Sequence, residues 1–159
     1  MSESHLSDTR FDELPLSEPL KQGLADAGFE HCTAIQAAAL PMALAGRDVA
    51  GQAQTGTGKT AAFLLATMQL LLNEDPEEGH RDGDPRALIL APTRELAIQI
   101  ARDGEALGRH TGLRQVVVYG GEGYESQRSR LQEGVDILVG TPGRLIDYFK
   151  QKIFSLRTV

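Results

Sequence analysis

A single cysteine, Cys32, stands in the 159-residue chain, so no internal disulfide framework can form and a reducing, cytoplasmic setting is expected. Cys32 sits just ahead of a helical pattern and reads as a small packed residue rather than a nucleophile. Long apolar runs are also missing. The longest block, residues 61–72, is interrupted by Thr67 and Gln69 and falls short of the roughly 20 residues that a membrane span needs, so no membrane partner is expected. The opening stretch MSESHLSDTR lacks the apolar core of a signal peptide. No internal repeat and no low-complexity segment appears. The length suits one domain with its own core, with residues 1–10 as a flexible tail and residues 11–159 as the folded part.

The net charge of −6 argues at first against a polyanionic partner. Its placement weakens that argument. Residues 1–13 carry −3 and residues 73–85 carry −5, which leaves +2 for the remainder. The acid therefore lies in two segments expected to be mobile, and the charge of the body permits a nucleic-acid surface without demanding one.

Along the chain, LSEPLKQGLADAG predicts a short helix with Ser17 as N-cap, Pro19 in the first turn and Gly28 as the stop. A second helix follows Thr33, is split or kinked by Pro41 and ends at Gly46. RDVAGQA reads as a short strand around Asp48–Ala50, leading into a glycine-rich loop and a strongly apolar helix over 58–73. NEDPEEGHRDGDP is an aperiodic charged loop. Then RALILAP, RQVVVYG and VDILVG are short apolar runs of the buried parallel-strand type, each followed by a helical pattern. Strands alternating with helices predict an α/β fold whose parallel sheet has helices on both faces.

The loop AQTGTGKT, residues 53–60, has what a phosphate needs. Gly56 and Gly58 permit a tight turn that aims backbone N–H groups at an anion, with Gln54, Thr55 and Thr57 completing the turn. Lys59 supplies a point charge, and Thr60 a hydroxyl for magnesium. The helix that starts here points its positive end the same way. This pattern alone spans kinases, GTPases, transporters and helicases.

The set GFEHCTAIQ (28–36), AQTGTGKT (53–60), PTRELAIQI (92–100), Gly120-Gly121 and TPGRL (141–145), with Phe11 standing 17 residues before Gly28, resembles the DEAD-box RNA helicases in order and spacing. The resemblance covers nearly the whole chain after residue 11. The text around the motifs reads most like one bacterial branch whose members join RNA-decay assemblies with an endoribonuclease.

The resemblance implies a RecA-like phosphate-loop NTPase fold, ATP and magnesium as cofactors, and RNA as partner. It implies that Gln36 reads adenine, with Thr33 fixing the loop and Phe11 and Phe29 packing near the base. A carboxamide can donate to one edge atom of adenine and accept from another. It implies that Lys59 and Thr60 serve the catalytic phosphates and that Thr60 contacts magnesium. It also implies an RNA-backbone surface of Pro92, Thr93, Arg94, Gly120, Gly121, Thr141, Pro142, Gly143 and Arg144. These three groups follow three strands, where open α/β sheets bind ligands, and they suit a sugar–phosphate chain read by shape. As ordinary structure, Thr93 and Thr141 are equally helix N-caps.

One departure is Ala34, where the family has proline. A larger one is that the family's Asp-Glu-Ala-Asp and Ser-Ala-Thr sequences and its second RecA-like domain are absent from these 159 residues. The expectation is therefore a domain incomplete at its C-terminus, without appreciable ATP turnover. An unpaired strand near Val49 should then leave the phosphate loop irregular, or make copies associate through exposed sheet edges. The alternative to a helicase fragment is a non-catalytic module that binds a nucleotide or a partner protein.

Overall fold

The computed structural model describes residues 6–121 and 123–159. The first five residues of the expected tail lie outside that range. Contacts divide the chain into two compact units, one reaching to Asn73 and including Ala106–Gly112, the other Glu74–Glu105 with Leu113–Val159.

In the first unit the tail expectation is overturned for Leu6–Arg10. These residues form strand β1, antiparallel to β2, His31–Thr33, with Leu6 opposite Thr33 and Arg10 opposite His31. The Ser7 hydroxyl donates to Cys32 O at 2.9 Å, and Phe11 N–H donates to Glu30 O at 3.0 Å. A single turn of 3-10 helix, Phe11–Glu13, leads to α1, Glu18–Asp26, with Ser17 as N-cap and Pro19 in the first turn, where its missing N–H is no loss. Helix α2, Ala34–Leu44, runs on through Pro41 rather than splitting there. It packs against α3, Lys59–Asn73, and that tertiary packing outweighs the one backbone hydrogen bond that proline removes. Leu20, Leu24, Leu40, Leu64 and Leu65 are all buried.

The strand expected around Val49 does not form. Residues 47–54 carry no regular secondary structure, and Val49 is exposed. A stretch as short as Asp48–Ala50, with one β-branched residue, has too little local preference to persist as a strand without a partner ladder. The approach to the phosphate loop is thus irregular.

The second unit is the parallel sheet. It holds β3, Ala87–Leu90; α4, Arg94–Leu107, except its last two residues; β4, Gln115–Val118; α5, Tyr124–Glu133; β5, Ile137–Gly140; and α6, Pro142–Lys150. The strand order is β3-β5-β4, all parallel. Ile137 lies opposite both Ala87 and Gln115, and Gly140 lies opposite both Leu90 and Val118, so the three strands end level. Central strand β5 is buried throughout, as its uninterrupted apolar run requires. Val116, Val118 and Leu138 pack with Leu131 of α5 and with Leu145 and Tyr148 of α6 in one cluster. Alternation along β5 puts Ile137 and Val139 on the other face, where both are also fully buried.

The charged loop before β3 was expected to be mobile, but its end is anchored. Asp84 is only 5% exposed. It accepts the Ser155 amide at 2.6 Å and two Arg81 nitrogens at 2.8 and 3.0 Å. Burial pushes this carboxyl up, but the Arg81 guanidinium and the Ser155 amide outweigh it and hold the group below its ordinary value. A carboxylate with a depressed pKa stabilises the fold above its unfolded value, about 3.9, and loses that contribution as pH falls through the lower folded value. Asp84→Asn should therefore cost about 1–3 kcal/mol at neutral pH. Urea titrations should show the gap to wild type narrowing as pH falls below about 3.9; a gap that stays constant down to full protonation would contradict this account.

Candidate nucleotide and nucleic-acid sites

The glycine-rich loop closes into a turn at Thr55–Gly58, and α3 begins at Lys59. Gly56 and Gly58 have φ of +81° and +88°, a region that side-chain-bearing residues rarely enter. Lys59 Nζ donates to Gln54 O at 2.7 Å and also to Ala53 O, so the lysine is folded back over its own loop. The Thr57 hydroxyl donates to Gln54 O at 2.7 Å. Gln54, Thr55 and Gly56 are exposed, and Thr60 is half-buried at the start of the helix. The first N–H groups of α3 have no intrahelical partners and favour an anion. Among the described residues, no group of three or more His, Cys, Asp or Glu could hold a metal ion. The loop fits phosphate; the protein donors near Thr60 do not make a metal site by themselves.

Thr33 and Gln36 converge on this loop. The Thr33 hydroxyl donates to Thr57 O at 2.7 Å. Gln36, 2% exposed, accepts the Thr33 amide at 2.8 Å and donates through Nε2 to Gly58 O at 3.0 Å. One carboxamide thus caps α2 and fixes the last peptide of the loop. Phe11 and Phe29 meet elsewhere, edge to face at 6.3 Å. They line a pocket of about 260 Å³ with Arg10, Lys21, Gly28 and Glu30. Thr33 and Gln36 do not line that pocket, and Phe11 is 3% exposed. Cys32 is fully buried; burial, and secondarily the charge of Glu13, pushes its thiol up to about 11, as befits a packed, unreactive group.

In the sheet unit, the three remaining groups stand where expected. Pro92-Thr93-Arg94 follows β3, Gly120-Gly121 follows β4, and Thr141-Pro142-Gly143-Arg144 follows β5. Because the strands are adjacent and end level, these turns form one row with β5's turn in the middle. Pro92, Thr93, Arg94, Gly120, Gly121, Pro142 and Gly143 are exposed. The Thr93 hydroxyl accepts the Leu96 amide at 3.2 Å and so caps α4. The Thr141 amide donates to Val118 O at 3.1 Å, and the Thr141 side chain makes no cap bond. The Arg94 guanidinium lies 4.7 Å from the centre of the Tyr119 ring, a cation–π contact that holds the charge at the surface.

Arg144, like Thr141, is half-buried. Its guanidinium lies 5.0 Å from the Tyr124 ring centre and 5.3 Å from that of Tyr148. Nη1 donates to Gln127 Oε1 at 3.0 Å. Tyr119, Tyr124, Gln127 and Tyr148 were not anticipated as site residues. The available signal was helical spacing, Tyr124 to Gln127 and Arg144 to Tyr148, which sets each pair on one face.

The profile of the DEAD/DEAH box helicase family matches residues 33–159. A protein of Idiomarina loihiensis described as an ATP-dependent RNA helicase RhlB is 58% identical over the whole of this chain, which spans 37% of that protein. A Shewanella amazonensis protein with the same description is 55% identical, again over the whole chain and 36% of its own length. Among solved structures, a DEAD box protein from the hyperthermophile Methanococcus jannaschii superposes with a TM-score of 0.82 at 36% identity, covering 94% of this chain and 39% of that one. The chain thus spans little more than a third of the length of the proteins it resembles.

Proposed function

This chain belongs to the DEAD/DEAH box helicase family, and from that premise we propose that it carries nucleotide-binding and RNA-binding surfaces of an ATP-dependent RNA helicase. The observation that carries the reading is the level row of exposed turns at the C-terminal ends of β3, β5 and β4. Glycines and prolines there let a polymer backbone come close, and Arg94 offers charge to a phosphate. Turns of this kind suit recognition of RNA by shape and 2′-hydroxyls.

On this reading Gly56–Thr60 hold the nucleotide's phosphates through backbone amides and Lys59. Gln36, buried and bonded to Thr33 and Gly58, would serve adenine only by turning its carboxamide from these partners, and Phe11 and Phe29 would pack near the base from a pocket that Thr33 and Gln36 do not line. Thr60 would hold magnesium jointly with phosphate oxygens, an arrangement this ion favours because it keeps few protein ligands. ATP when bound supplies the phosphoryl group whose transfer drives the cycle. Such transfer depends on positioning and charge stabilisation, including a water-orienting residue and an arginine finger. The residues identified here serve binding.

The test is a titration of the chain with a fluorescent ATP analogue and, separately, with a single-stranded RNA oligonucleotide. Lys59→Ala should weaken the analogue by about 10- to 100-fold, the loss of one charge-assisted contact, and leave RNA affinity unchanged. Equal analogue affinity would remove the loop from the nucleotide site. Wild type should release no phosphate faster when RNA is added; stimulated release would overturn the binding-only reading of this length of chain.

A further inference from the structure

Gln127 is 6% exposed and lies on α5, outside every motif discussed above. Its Oε1 accepts two donors. One is the Tyr119 backbone N–H at 3.0 Å, at the end of β4 and directly before Gly120-Gly121. The other is Arg144 Nη1 at 3.0 Å, in the turn after β5. Both lone pairs of one buried oxygen are therefore spent on two neighbouring turns of the exposed row. The same Arg144 is stacked against Tyr124 and Tyr148, and the Tyr148 hydroxyl donates to Tyr124 O, which ties α6 back to the start of α5.

We propose that Gln127 is a positioning residue for the RNA surface: its carbonyl oxygen locks the Gly120-Gly121 turn to the Thr141–Arg144 turn and so sets the distance between two backbone contacts. The inference rests on the RNA reading for its consequence, but the lock is a property of the fold. Two turns that recognise a polymer by spacing need a fixed separation, and ladder hydrogen bonds stop at Val118 and Gly140. Beyond that point, among the described residues, Thr141 N–H to Val118 O and this shared oxygen join the two turns. A carboxamide suits the task because its acceptor is neutral. It bonds a guanidinium and an amide without cancelling the charge that phosphates see, as a carboxylate would.

Gln127→Met keeps length and burial but removes the acceptor; Gln127→Glu keeps the acceptor. Amide hydrogen exchange on the 159-residue chain reads the lock directly. Met should speed exchange at Tyr119, Gly120, Gly121, Thr141 and Gly143 by about tenfold, the equivalent of one lost hydrogen bond, with β-strand amides unchanged; Glu should stay near wild type. Arg144→Lys should loosen the Tyr119 and Gly120 amides too, although the substitution lies in the other turn, and it decides the matter should the Met variant not fold. For single-stranded RNA the Met variant should bind about three- to tenfold more weakly, with Lys59-dependent analogue binding unaltered. Exchange that rises at one turn only, at neither turn, or evenly across the unit would overturn the lock. If exchange behaves as expected but wild type binds no RNA, the RNA reading fails and the lock stands. If wild type binds RNA and the Met variant binds it equally well, the lock has no part in recognition.

Discussion

Gly140→Ala is expected to cost the sheet unit about 3 kcal/mol, toward the upper end for overpacking a core. An added Cβ would lie 2.7 Å from Val118 Cγ2, 2.8 Å from Val118 O and 2.9 Å from Leu145 Cγ. A side chain could turn aside, but the carbonyl belongs to the backbone of β4 and cannot move without parting β4 from β5. The strain falls where β5 hands over to Thr141 and where β4 approaches Gly120, so the damage is shared between stability and the exposed row. Urea unfolding measures it; a loss under about 0.5 kcal/mol would show that the two strands do not approach this closely.

Gly58→Ala should weaken nucleotide binding by about thirtyfold, roughly 2 kcal/mol. Two penalties combine. At φ +88° a residue with a Cβ costs about 1–2 kcal/mol. The new carbon would also lie 2.3 Å from Gln36 Nε2 and 3.0 Å from its Cδ, which forces the carboxamide off both Gly58 O and the Thr33 amide. The effect therefore spreads from the loop to the cap of α2. Gly51→Ala is the control, because its added carbon meets only Ile35 Cδ1 at 3.7 Å, an ordinary contact. Analogue titration of the two variants should separate them clearly. Equal affinities would mean that the conformation of Gly58 is not needed for binding.

The parts of the fold legible in the sequence are those with strong local signals. The runs before Pro92, Gly120 and Thr141 became β3, β4 and β5 because four consecutive apolar residues between two helical patterns have few other destinations. Lys59–Asn73 was equally plain from length and composition. Strands β1 and β2 were not legible: LSDTR and HCT are short and largely polar, and only their mutual pairing makes them strands. Val49 shows the converse, since a strand-like run forms no strand when nothing pairs with it. At the sites, motif residues appear on the expected turns, but their local bonding was hidden. That Gln36 spends its acceptor and a donor on Thr33 and Gly58, or that Arg144 nests between two tyrosines, depends on packing between segments distant in sequence.

The posture of Lys59 has a further consequence. Its ammonium group already has two backbone carbonyls for company. An incoming phosphate would not gain a naked cation; it would take the lysine away from Ala53 and Gln54 and leave those carbonyls to water. Association is then an exchange of partners, and its net gain is the difference between two electrostatic attachments. For the phosphate binding proposed above, the lysine thus acts as a group already engaged rather than as a free charge.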